Sequence, residues 1–174
     1  MPPLPDLRIG ALAEADLGAY KALRDHVLTH FEEAFTSDAA AEAQRSAQSY
    51  RERLGSDAQG GFTLGAWRGE RLVGAITCER DPRSKVRHVG HIVGMMVMRD
   101  EQGQGVGRAL LDGLIALASA DAELHQLTLS VTASNRAAVT LYERASFTRY
   151  GSLPRAIRVA GRFFDKDLMV LSLR

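Results

Sequence analysis

One cysteine, one tryptophan and five prolines are all that this 174-residue chain holds of those types. Cys78 therefore has no partner for an internal disulfide, and a zinc site built from several cysteines is excluded. No apolar stretch approaches the ~20 residues of a membrane helix, so no membrane partner is expected. Neither charge sign dominates: 22 lysines and arginines stand against 21 aspartates and glutamates, a net charge of +1. General polyanion binding needs a concentrated basic face, so no nucleic-acid partner is expected either. The opening residues lack a basic segment followed by an apolar one, which argues against a secretory signal and for a cytoplasmic protein. What remains is an ordinary globular composition, 45% hydrophobic and 25% charged. A chain of this size buries roughly 70% of its unfolded surface and needs no staple. The expectation is one domain over residues 1–174.

Pro2, Pro3 and Pro5 make an extended lead-in, and Leu7–Gly10 reads as a first strand. From Glu14 to His30, Leu17, Tyr20, Leu23, Val27 and the following Phe31 recur at helical spacing. Asp38 to Leu54 reads as a second, polar surface helix closed by Gly55. Phe62–Trp67 and Arg71–Cys78 form a hairpin about Arg68-Gly69, and 81–84 is a loop. Val86 to Val97 is a long β-type run broken by Gly90 and Gly94, either of which marks a bulge or a close backbone approach. Gly105 to Asp121 carries Val106, Leu110, Leu114 and Leu117 on one helical face. His125–Thr132 alternates as a half-buried strand, Asn135 to Ala145 is a short helix, and Phe147–Leu153 and Phe163–Leu173 close the chain as strands. Alternating strands and helices define a mixed α/β fold.

Between the fourth strand and the helix that follows lies Gln102-Gly103-Gln104-Gly105-Val106-Gly107-Arg108. Free backbone N–H groups at a helix start, three glycines without side chains and an arginine make a pyrophosphate cradle. A P-loop requires Gly-Lys-Ser/Thr, which Gly107-Arg108-Ala109 does not supply. The dinucleotide fingerprint requires G-x-G-x-x-G and an acidic residue after the next strand, where Val131-Thr132-Ala133 stands.

Gln102-x-x-Gly105-x-Gly107 resembles the Gln/Arg-x-x-Gly-x-Gly/Ala signature of the GNAT (Gcn5-related) N-acetyltransferases. Thirty residues on, the segment from Asn135 through Leu141-Tyr142-Glu143 to Phe147 resembles that family's second motif, with Ser146 in place of its usual glycine. The resemblance implies a mostly antiparallel mixed sheet, flanked by helices, whose fourth and fifth strands splay apart to admit acetyl-CoA. It implies that Gln102, Gly103, Gln104, Gly105, Val106, Gly107 and Arg108 hold the pyrophosphate. It implies further that Met95 and Val97 pair with the pantetheine arm, that the Met96 N–H stabilises the oxyanion, and that Asn135 touches the pantetheine. Tyr142 matches the tyrosine that protonates the departing thiolate, a role open to a phenol of pKa near 10. Asn135 is equally well placed as a helix N-cap.

The general base stays open among Glu79, His88, His91 and water. His88 and His91 differ by three positions and so fall on opposite faces of a regular strand. Enzymes resembling the ribosomal-protein alanine type carry a glutamate on the fifth strand where this chain has Ser130, which argues against protein N-terminal acetylation. Glu32 and Glu33 fall where such enzymes bind their acceptor and are candidates to attract a cationic amine. His26 and His30 share a helix face but lack further ligands, so no metal is expected. Cys78 reads as core. The expectation is an acetyl-CoA-dependent N-acetyltransferase acting on a small primary amine or amino acid. A protein or peptide acetyltransferase and a non-catalytic acyl-CoA sensor are the alternatives. Homodimerisation, through the late strands, is expected as a family habit.

Overall fold

A computed structural model describes residues 6–54 and 61–174; the lead-in at Pro2, Pro3 and Pro5 and the closing Gly55 lie outside them. Seven strands form one sheet: β1 (Leu7–Ala11), β2 (Phe62–Arg68), β3 (Arg71–Arg80), β4 (Val89–Val97), β5 (Gln126–Thr132), β6 (Thr148–Val159) and β7 (Arg162–Ser172). Their spatial order is β1-β2-β3-β4-β5-β7-β6. All neighbours are antiparallel except β4 and β5, which run parallel. The helices are α1 (Leu17–His30), α2 (Ala39–Ala43), α3 (Arg51–Leu54), α4 (Val106–Ala120) and α5 (Arg136–Arg144). None of the described helices is long and apolar enough to cross a membrane.

The central strands of the sheet are covered on both faces. On one, α4 sets Leu110, Leu111 and Leu114 against Leu64, Ile76, Ile92 and Leu127. On the other, α1 packs Leu17, Tyr20, Leu23 and Val27 with Tyr50 and Leu54 onto Leu72, Ala75 and Met96. The apolar spacing of α4 predicts its buried stripe with one correction: Leu117 is 49% exposed, and Leu111 and Ala118 lie inside instead. α4 lies chiefly over β3, with β2 and β4 to either side.

The predicted helix over 38–54 is a second correction. It breaks into α2, a 3-10 turn at Ala47–Tyr50, and α3. No continuous apolar stripe holds the segment straight, so tertiary contacts decide its course. Those contacts are specific. Asp38 caps α2 by accepting the Ala41 N–H at 2.8 Å. The Glu42 carboxylate accepts from Arg24 Nε at 2.7 Å, the Tyr50 hydroxyl at 2.5 Å and Arg45 at 3.1 Å. The segment is mostly exposed, as its polarity predicts, but it buries Glu42, Tyr50 and Leu54. A third correction concerns β6, which runs beyond Leu153 to Val159 through an irregular register at Leu153–Ile157. There Arg155 adopts a left-handed conformation and its N–H donates to Asp165 at 2.8 Å.

Leu114 is wholly buried, so Leu114→Ala should cost about 2–5 kcal/mol, whereas Leu117→Ala should stay within about 0.5 kcal/mol. Urea denaturation midpoints check the contrast. Burial alone would raise the Glu42 carboxyl, but hydrogen bonds from Tyr50, Arg24 and Arg45 pull it down to about 2 from 4.5. A carboxyl depressed on folding stabilises the protein above its unfolded pKa and loses that contribution as pH falls through the folded value. Glu42→Gln should therefore cost about 2–3 kcal/mol at neutral pH. The deficit should shrink steadily between pH 4.5 and about 2 when melting temperatures of both proteins are compared.

Candidate active site

The parallel pairing of β4 and β5 covers only Val89–Gln126, Gly90–Leu127 and His91–Thr128. Beyond His91 the strands part, because each is held elsewhere: β4 stays with β3 to Val97, and β5 stays with β7 to Thr132. At Gly94 (φ 58°) the β3–β4 register slips between Ala75 and Thr77, a bulge that turns the end of β4. The β5-facing edge of Met95, Met96 and Val97 consequently pairs with no strand among the described residues. Backbone polar groups in that position require a partner.

The glycine loop leads from this edge into α4. Gly105 sits at φ 83°, a left-handed conformation that only glycine adopts without strain, and serves as the N-cap. The first backbone bond of α4 runs from the Ala109 N–H to the Gly105 carbonyl. The N–H groups of Val106, Gly107 and Arg108 therefore point into the loop at the positive end of the helix dipole. Gly107 is needed for closeness: a Cβ there would stand 3.2 Å from Met95 Cε and 3.5 Å from Leu141 Cδ2. Gln102 donates weakly to the Val97 carbonyl at 3.4 Å, and Gln104 to the Asp100 carbonyl at 2.7 Å. Arg108 shares its charge with Asp112, both carboxylate oxygens lying 2.8 Å from Nε. Gly103 is exposed and open, with nothing near a would-be Cβ.

Two ion pairs that the sequence did not announce anchor this loop to the β2–β3 hairpin. Arg68 grips the buried Glu101 at 2.8–3.0 Å through Nε and Nη2, and Arg71 grips Asp100 at 2.8 and 3.2 Å. Nothing in the local pattern links residues some thirty positions apart.

Tyr142 closes the gap from the α5 side. Its ring packs edge-on to Phe147 at 5.8 Å and its hydroxyl lies 3.2 Å from Met95 Sδ, directly beside the unpaired edge of β4. Burial pushes the phenol well above its ordinary pKa, so it is protonated throughout the physiological range. Asn135 caps α5 by accepting the Ala138 N–H at 3.1 Å, and Ser146 ends that helical segment in the left-handed region at φ 68° despite its side chain.

The opposite face carries the acid–base candidates. Glu79 and His91 are cross-strand neighbours on β3 and β4, and His91 Nδ1 lies 2.7 Å from Thr128 Oγ1. His88 precedes β4 at its far end, where its ring meets His125 at 6.1 Å. Ser130 is exposed on β5. Glu32 and Glu33 form an exposed 3-10 turn, tied to the end of β5 by the Thr132 hydroxyl donating to the Glu33 carbonyl at 2.6 Å. On the same face a polar cleft of about 390 Å³ opens between α2, α3 and β3, lined by Arg53, Thr77 and Glu79 among others. Arg53, which sequence reasoning missed inside the supposed helix, donates to Glu79 at 2.9 Å. The His26 and His30 rings stack at 4.3 Å, and no metal-binding cluster occurs among the described residues.

Residues 22–147 match the acetyltransferase (GNAT) family. The chain belongs to that family. Its sequence is 43% identical over 93 residues to a mycothiol acetyltransferase of Geodermatophilus obscurus, a stretch spanning 52% of this chain but 29% of that protein. The fold matches a GNAT acetyltransferase of Streptococcus pneumoniae with a TM-score of 0.87 and 25% identity, covering 95% of this chain and 98% of the other. It also matches the yncA protein of Salmonella typhimurium, solved with its cofactor acetyl-CoA, with a TM-score of 0.79 and 22% identity over 97% and 95% of the two chains.

Because Glu101 is buried and anchors the start of the glycine loop, Glu101→Gln should lower the melting temperature and weaken acetyl-CoA binding together. A loss of about 2–4 kcal/mol is expected. Calorimetric titration with acetyl-CoA, alongside thermal melts, measures both.

Proposed function

We propose that this chain transfers the acetyl group of acetyl-CoA to a primary amine by direct attack within a ternary complex. The observation that carries the reading is the Tyr142 hydroxyl standing beside the unpaired Met95–Val97 edge, next to a glycine loop with free N–H donors. The thioester supplies an activated acyl group. The N–H groups of Val106, Gly107 and Arg108 hold the pyrophosphate, flanked by Gln102, Gly103, Gln104 and Gly105. Met95 and Val97 offer backbone groups to the pantetheine amides as an added strand would, and Asn135 borders the same arm from α5. Met96 itself faces β3, where it pairs with Ala75, so the charge that builds on the carbonyl oxygen falls to a neighbouring backbone N–H of the β5-facing edge. Tyr142 delivers its proton to the departing thiolate, and because the phenol is held neutral the proton is present to be given. The residues present fit the cosubstrate, as the S. typhimurium relative with acetyl-CoA in the same fold supports.

The acceptor enters from the α1 face, where Glu79 and His91 stand ready to take up the ammonium proton directly or through water. His88, at the far end of β4, is remote from the bulge. Glu32 and Glu33 draw a cationic amine towards the gap. A small acceptor suits the cleft at about 390 Å³. Holding the amine against the thioester supplies much of the acceleration as effective molarity.

Tyr142→Phe should lower kcat at least about 100-fold while leaving the acetyl-CoA-induced rise in melting temperature intact. Release of free CoA thiol against a panel of amines measures the rate. An unchanged rate in Tyr142→Phe would remove the tyrosine from the chemistry, and turnover of peptides alone would point to a protein acceptor.

A further inference from the structure

A buried hydroxyl without a hydrogen-bond partner and an arginine converge on the bulge of β4. A Cβ placed on Gly94 would stand 3.7 Å from the Tyr20 hydroxyl, 4.0 Å from Arg53 Nη1 and 4.0 Å from Thr77 Oγ1. The Thr77 hydroxyl is already engaged with that of Thr63 at 2.9 Å. The Tyr20 hydroxyl is wholly buried and has no hydrogen-bond partner. Arg53 is fixed at both ends: its carbonyl takes the Thr63 hydroxyl at 2.7 Å, and its Nη2 donates to Glu79 at 2.9 Å. Its guanidinium also lies against the Tyr20 hydroxyl. Burying a hydroxyl without a partner costs stability, and such a group in a native protein calls for a reason.

We propose that the acceptor is an α-amino acid whose carboxylate is seated by Arg53 Nη1 and the Tyr20 hydroxyl. The inference rests on the acetyl-transfer reading and narrows it. Gly94 directly precedes Met95, Met96 and Val97, the edge assigned to the reacting thioester, so the anion seat and the reaction centre are neighbours along one strand. In an α-amino acid only two bonds separate the nitrogen from the carboxylate carbon, which matches that adjacency. Gly94 carries no side chain that would shield the Tyr20 hydroxyl and Arg53 Nη1 from a ligand. The other arginines of the adjoining cleft are taken up: Arg24 and Arg45 by Glu42, Arg80 by Asp121 and Glu123. Glu79 holds the guanidinium in place and leaves its second arm for one further monoanion, the bidentate habit of arginine. A peptide amide or a decarboxylated amine presents no charge there and forgoes the charge-assisted bonds that a carboxylate makes with Arg53 and the Tyr20 hydroxyl.

The test is CoA release with a series of α-amino acids, their carboxamides and the corresponding decarboxylated amines. The acids should exceed the amides in kcat/KM by at least about tenfold, equivalent to about 1.4 kcal/mol. In Arg53→Gln the acid-to-amide ratio should collapse towards one through KM, with the acetyl-CoA-induced melting shift preserved. Tyr20→Phe guards against misfolding, because it keeps the ring against Tyr50 and removes only the unsatisfied hydroxyl. That variant should melt no lower than the wild type while its KM for the acids rises several-fold; a purely structural hydroxyl would leave KM unchanged. In the presence of CoA, N-acetyl-α-amino acids should raise the melting temperature of the wild type and not of Arg53→Gln. Amides or peptides turned over as well as the acids, or an unchanged ratio in Arg53→Gln, would overturn the inference and leave acetyl transfer standing. No turnover of any amine, with acetyl-CoA still bound, would overturn acetyl transfer and this inference with it.

Discussion

Everything in this fold turns on a ladder that stops early. β4 and β5 share three residue pairs and then part, while β3 on one side and β7 on the other keep hold of them. Since each strand is committed to its outer neighbour, the gap cannot close by zipping, and a stretch of backbone is left with hydrogen-bonding capacity and no strand to use it. A bulge at Gly94 sets where the parting turns, and the helix that follows begins with its N–H groups aimed at the same opening. Binding capacity here is a by-product of sheet geometry, with side chains added afterwards.

Around that opening the molecule separates two environments. The α5 side is apolar and holds Tyr142 against Met95 and Phe147. The α1 side is polar and carries Arg53, Glu79 and His91 in sequence from the bulge outwards. Proton donation belongs to the dry side, where burial keeps a phenol neutral. Recognition of charge belongs to the wet side. The ion pairs Arg68–Glu101 and Arg71–Asp100 tie the glycine loop to the β2–β3 hairpin, so the glycines bend the chain locally without letting the loop drift.

The sequence made one half of this legible and hid the other. The glycine loop and the Asn135–Phe147 segment are continuous in the chain, so their chemistry can be read as text. Tyr142 and the Met95–Val97 edge were placed from those motifs, and the fold brings them together. Arg53 was hidden because it lies in a polar run that looks like a solvated helix, and its partners Glu79 and Tyr20 come from distant elements. The same tertiary contacts broke the predicted helix over 38–54, since Glu42, Tyr50 and Leu54 are buried only when the segment folds back under α1. Leu117 was misassigned because helical periodicity defines a stripe but not its exact bearing on the sheet. Of the two histidines separated by three positions, only the cross-strand partner decided which faces the acceptor side.

Cys78, the one cysteine, is wholly buried on β3, and burial pushes its thiol up to about 12. A Cβ on Gly90 would come within 2.8 Å of its sulfur, so the neighbouring strand is shaped around it. Thiolate is the form that reacts with disulfide and maleimide reagents, and at neutral pH this side chain offers essentially none, behind a closed surface. The folded protein is consequently silent towards chromogenic thiol reagents. Any sulfhydryl they register in a reaction mixture comes from the carrier, and any signal from the chain itself reports unfolding.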